Sequence, residues 1–194
     1  CEDLAFREGC TVMIALGSAS ASGTSIVLKN SDKVGDYHLV GPQYHNHKEI
    51  NILLDGISDS GHRILGVAAA GSSGLKMGMN DAGVATTSNI SRTFELLNRH
   101  IGIDSLLAAD RSQLMRDGLE FGTAHAAAEA TIHRLSRYPM STPGNLAFID
   151  KKECWIIEGS YSQLAVEVLR GDRIAGRANH FILLQNLNDS DEIA

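Results

Sequence analysis

The chain reads as a single α+β domain, and three observations predict it. Short apolar runs of strand length open and close the sequence. A helical stripe and its cap fall between them, so the order is strands, helices, strands rather than strict βαβ alternation. No internal repeat and no linker long enough to split the chain interrupts that order.

Taken in turn, Val12–Leu16 and Ser25–Lys29 are strands around the small-residue turn 17–24, which together read as a hairpin. The stretch 37–49, with Gly41-Pro42, is expected to be a loop. Asn51–Ile57 and Ile64–Ala70 form the next strand pair, across the turn 58–61. Asn80-Asp81-Ala82-Gly83 is a strong turn signal, and Val84–Asn89 is the strand leaving it.

From Asp104 to Met115, residues Leu106, Leu107, Leu114 and Met115 predict a helix with one apolar face. Thr123 is placed to cap a second helix. There Ala124, Ala128, Ile132 and Leu135 make an apolar stripe, which Pro139 and Pro143-Gly144 end. Strands then return at Leu146–Asp150 and Cys154–Glu158, at Leu164–Leu169 and Arg173–Ala175, and in the last apolar run, Phe181–Leu184.

Composition narrows the function classes. The 194 residues are 43 % apolar, which predicts a folded core rather than disorder. A net charge of -6 argues against a nucleic-acid partner and against an anionic membrane surface. The longest apolar runs are about half the roughly 20 residues of a membrane span. The chain has three cysteines and no CxxC, so neither a disulfide framework nor a cysteine-rich zinc site is expected, and reducing cytoplasm is the default location. His38, His45 and His47 lie in a polar stretch without acidic partners at ligand spacing, so no metal and no other cofactor is expected. The sequon Asn89-Ile90-Ser91 reads as accidental if Asn89 is buried.

Cys10 is the residue that carries chemistry. It follows Gly9 and opens an apolar strand, and the hairpin brings Lys29–Asp32 back toward it. If the Gly9–Cys10 bond is cut, one residue holds both a thiol and an α-amine. The amine has a reference pKa of about 8 and can take the thiol proton. Asp32 is placed to orient that amine, and no histidine is needed.

Several motifs agree with this. The junction "EGCT", "GTSIVLKNSD" (23–32), "LKMGMNDAGVATTSN" (75–89), "GLEFGTAHAAAEATIHRL" (118–135), "AFIDKKECWIIEG" (147–159) and "RANHF" (177–181) occur in order. Together they resemble the N-terminal-nucleophile hydrolases with cysteine as nucleophile. The similarity is to the acyl-coenzyme A:6-aminopenicillanic acid acyltransferase group and also to the secernin/dipeptidase group.

The resemblance implies a four-layer αββα sandwich, autocatalytic cleavage of a zymogen between Gly9 and Cys10, and hydrolysis or acyl transfer at linear amide bonds through a thioester on Cys10. It implies Cys10 as nucleophile, Asp32 beside its α-amine and Asn179 as stabiliser of the tetrahedral intermediate. Asn89, Lys29 and Thr11 are the expected oxyanion or substrate-binding residues. Bile-salt-hydrolase-like relatives carry arginine where this chain has Lys29, which lacks the planar fork for a carboxylate.

Residues 1–9 are expected to be a propeptide tail or linker, and 10–194 the hydrolase domain, continuing past Ala194. The expected partner is a small-molecule or short-peptide amide; a homo-oligomer is left open. A dipeptidase and a non-catalytic protein of the same fold are the alternatives.

Overall fold

The computed structural model describes residues 9–32, 37–40, 43–46, 51–97 and 108–189. Strands β1 (Gly9–Ala15) and β2 (Ile26–Asp32) are the predicted hairpin. β3 (Tyr37–Val40) and β4 (Gln43–Asn46) pair with each other, so part of the expected loop is extended. β5 (Asn51–Ile57), β6 (Arg63–Ala69), β7 (Met77–Asn80) and β8 (Ala85–Ile90) form a meander. A short helix α1 (Phe94–Leu97) precedes α2 (Arg111–Gly118) and α3 (Ala124–Leu135). β9 (Gly144–Ile149), β10 (Glu153–Gly159), β11 (Leu164–Arg170) and β12 (Ile174–Arg177) complete the order.

Besides the β3-β4 pair, two antiparallel sheets form among the described residues. The larger has the order β11-β10-β9-β8-β7-β6-β5, and the smaller β12-β1-β2. β9 is buried along its whole length because both of its faces are covered. On one face Leu146 and Phe148 pack with Leu114, Leu119, Ala124, Ala128 and Leu135 of the helical layer. On the other face Ala147 and Ile149, with Ile156 of β10, meet Val12 and Ile14 of β1 and Leu16 just after it. Helices, large sheet and small sheet are therefore three stacked layers. No helix covers the outer face of the small sheet among the described residues, and Met13 and Leu28 are exposed there.

Four expectations change. Residues 104–107 lie outside the described residues, and the helix predicted from Asp104 is seen from Arg111; the Asp110 side chain caps it by accepting from Gln113 N. Thr123 caps α3 as expected, accepting from Ala126 N. β7 had no predicted counterpart, because its Met-Gly-Met-Asn alternates two half-exposed methionines with a glycine. β11 and β12, read as neighbours across a turn, belong to different sheets. The run 181–184 is not a strand: the Glu158 carboxylate takes the N–H groups of Ile182, Leu183 and Leu184, which a ladder would have used.

Gly118 closes α2 directly against the fully buried Phe148. A Cβ added there would sit 2.0 Å from the Phe148 ring. Gly118→Ala is expected to cost about 1–3 kcal/mol through overpacking, measured as a lower urea midpoint at unchanged m-value.

Candidate active site

Strand register assembles the site. Gly9 pairs with Asp32, and Cys10 with Ser31, across the β1–β2 ladder. Alternation along β1 turns Cys10, Val12 and Ile14 toward the large sheet, and Thr11 and Met13 outward. The Cys10 thiol is half-buried, 3.9 Å from Ser31 Oγ. On the other side of β1, Val12 pairs with Arg177, the last residue of β12. Continuing that antiparallel register by two residues brings Asn179 opposite Cys10.

The contact is made. The Cys10 backbone N–H donates to Asn179 Oδ1 at 2.7 Å. Asn179 Nδ2 donates to the Ile90 carbonyl at 2.8 Å, and the Asn179 carbonyl accepts from Arg92 N. A donor on one side and a carbonyl on the other fix which end of the amide is which.

The remaining predicted residues lie on β1, β2 and β8. The Asp32 backbone lies opposite Gly9, while its side chain lies outside the described part. Lys29 is on the inner face of β2, two residues from Ser31, and its ammonium donates to the carbonyls of Ser88 and Lys76. Asn89 is 1 % exposed and donates to the Ala178 carbonyl, which also agrees with an accidental sequon. Thr11 is exposed and, by alternation over one residue, lies on the face of β1 opposite to Cys10, so the structure does not bring it to the sulfur. Gly9 is the extended first residue of β1 and not a positive-φ position. His38 and His45 pair by register; the side chains of both, and all of His47, lie outside the described part.

Three functional supports were missed. Glu158, fully buried, accepts the three N–H groups of 182–184 and lies 3.3 Å from Arg177 Nε. Arg177 also reaches Glu167 and is 6 % exposed. A glutamate inside the apolar run Cys-Trp-Ile-Ile was the available signal, since such a charge is buried only with partners. Asn145, the third, pairs in register with Asn89; the Pro-Gly before it masked it as part of a turn.

Cys154 contrasts with Cys10. It is fully buried, and burial pushes its thiol up to about 12, against a smaller opposing influence from Arg177. Among the described residues no group of three metal-ligating side chains exists, and no helix is long and apolar enough to cross a membrane. Beside β2 runs a cavity of about 520 Å³ whose walls include Val27, Leu53, Leu65, Val67, Met77 and Met79.

No family model and no curated sequence matches the chain. Solved structures do. A Caenorhabditis elegans ortholog of N-acylethanolamine-hydrolyzing acid amidase is 19 % identical with a TM-score of 0.51, covering 95 % of this chain and 75 % of that one. Two variants of a conjugated bile acid hydrolase from Clostridium perfringens are 11 % and 15 % identical, with TM-scores of 0.46 and 0.47. The chain spans about half of their length, 51 % in each case. The fold is that of the N-terminal-nucleophile hydrolases.

Two outcomes follow from this geometry. Iodoacetamide at pH 8 is expected to alkylate Cys10 and leave Cys154 unlabelled until urea is added, as read by peptide mass spectrometry; equal labelling of both in the folded protein contradicts it. Glu158→Ala strands three N–H groups and leaves the buried Arg177 with Glu167 alone among its two glutamates, and is expected to cost about 3–5 kcal/mol in chemical denaturation.

Proposed function

We propose that the chain is a self-processing cysteine amidohydrolase that works through a thioester on Cys10. The observation that carries this reading is the 2.7 Å bond from Cys10 N to Asn179 Oδ1. It holds in place the nitrogen that becomes an α-amine once the Gly9–Cys10 bond is cut, with the thiol on the same residue.

Maturation comes first. The Cys10 thiol attacks the Gly9 carbonyl, the acyl group moves from nitrogen to sulfur, and water releases it. The new α-amine then takes the thiol proton, and the thiolate attacks the substrate carbonyl. The ammonium returns its proton to the leaving amine, and water hydrolyses the thioester to the acid. An amine in place of water would give acyl transfer from the same intermediate.

The roles proposed for the residues are finer than those the resemblance implies. Asn179 is read as the group that orients the α-amine, since its Nδ2 is engaged by Ile90. Asp32, opposite Gly9, is read as the charge beside that amine. Lys29 and Asn89 are read as scaffold, because their donors are taken by backbone carbonyls.

The cavity supports a proposal for the substrate class. Val27, Lys29 and Ser31 share one face of β2, so a row of side chains leads from the apolar walls toward Cys10. An amide of an apolar carboxylic acid, with its acyl chain in the cavity, fits better than a dipeptide with a charged terminus. The name of the nematode protein points to the same chemistry.

Intact-protein mass spectrometry and a panel of N-acyl amides test the reading. The wild type is expected to acquire a terminus at Cys10 and to consume the amides, whereas Cys10→Ala does neither. Asn179→Ala is expected to lower turnover by roughly two orders of magnitude, the low range for loss of a positioned general base. A persistent full-length mass with a reactive Cys10 thiol and no amide consumed would favour the non-catalytic alternative.

A further inference from the structure

We infer that Asn145 is a positioning residue for Cys10, acting through the segment that carries Asn179. Asn145 is the second residue of β9 and 2 % exposed. Its Nδ2 lies 3.3 Å from the Ala178 carbonyl, 3.4 Å from the His180 carbonyl and 3.1 Å from Ser91 Oγ. The two carbonyls bracket residue 179 on either side. One buried amide therefore fixes the peptide path on which the Asn179 side chain depends.

The surroundings hold Asn145 itself in place. Asn89, its register partner on β8, donates to the same Ala178 carbonyl. Arg111, at the start of α2, donates to the carbonyls of Asn89 and Pro143 and so ties the ends of β8 and β9. β8 and β9 approach closely here: a Cβ on Gly144 would lie 2.3 Å from the Asn89 carbonyl oxygen. The relay runs from Asn145 to the carbonyls of 178 and 180, then through Asn179 to the nitrogen of Cys10.

The catalytic meaning of this relay rests on the proposed nucleophile, but the geometry can be tested without turnover. The Cys10→Ala chain keeps its peptide bond and retains an N–H at position 10. Amide hydrogen exchange at that position, followed by NMR, reports the bond to Asn179. Asn179→Ala in this background is expected to raise the exchange rate about tenfold, the scale of one lost hydrogen bond. Asn145→Ala is expected to raise it by a similar factor, and the double variant no further than Asn179→Ala alone. Asn145→Ser, a smaller perturbation that keeps a hydroxyl donor, is measured alongside in case the alanine variant does not fold.

Asn80→Ala is the control. It removes an equally buried amide that donates to Leu119 and Phe121 from the helical face of the same sheet. It is expected to lower stability while leaving exchange at position 10 unchanged in the native state. Unchanged exchange at position 10 in the folded Asn145 variants, or an effect that adds to that of Asn179→Ala, overturns the inference. A wild type that never cleaves before Cys10 would count against the proposed function and leave this result standing.

Discussion

A buried charge sets the terms for this structure. Glu158 leaves water only because three successive N–H groups and the Arg177 guanidinium meet it. Taking a carboxylate out of water costs several kcal/mol, which only such a full set of partners offsets. The residues that meet this demand are those on either side of Asn179. Arg177 ends β12 in the small sheet, and 182–184 follow in irregular backbone. Glu158 belongs to the large sheet. The pair therefore joins the two layers at the point where the strand register brings Asn179 to Cys10.

Around the thiol the structure uses neutral amides where it could have used charges. Asn89, Asn145 and Asn179 each direct a side-chain NH₂ to a backbone carbonyl. An amide can donate in this way without bringing a charge of its own. The cations nearby are already committed, Arg177 to two glutamates and Lys29 to two carbonyls.

Much of this was legible in the sequence because it depends on local pattern. Period and turn chemistry marked the β1–β2 hairpin, and Thr123 with the stripe after it marked α3. Cys10 and Asn179 were found as residues in motifs, and register then brought them together. What escaped notice depends on long-range partners. The run 181–184 is as apolar as a strand, yet Glu158, more than twenty residues earlier, claims its N–H groups. β12 lies one tight turn after β11 and still leaves for the other sheet, because β1 needs a neighbour on that side. Thr11 shows the converse: it adjoins Cys10 in sequence and lies on the opposite face of the strand.

The place of β1 between two neighbours has one more consequence. Chain ends ordinarily fray, since a terminal residue has lost half its tethers. A terminus formed at Cys10 would have β2 on one side and the β12 segment on the other. Its nitrogen and its sulfur would be held as firmly as groups within a sheet interior, although no covalent bond precedes them. A nucleophile at a loose end would surrender conformational entropy in every catalytic cycle. On the proposed mechanism, folding has already removed that freedom, and Cys10 would act as both base and nucleophile without searching for its own geometry.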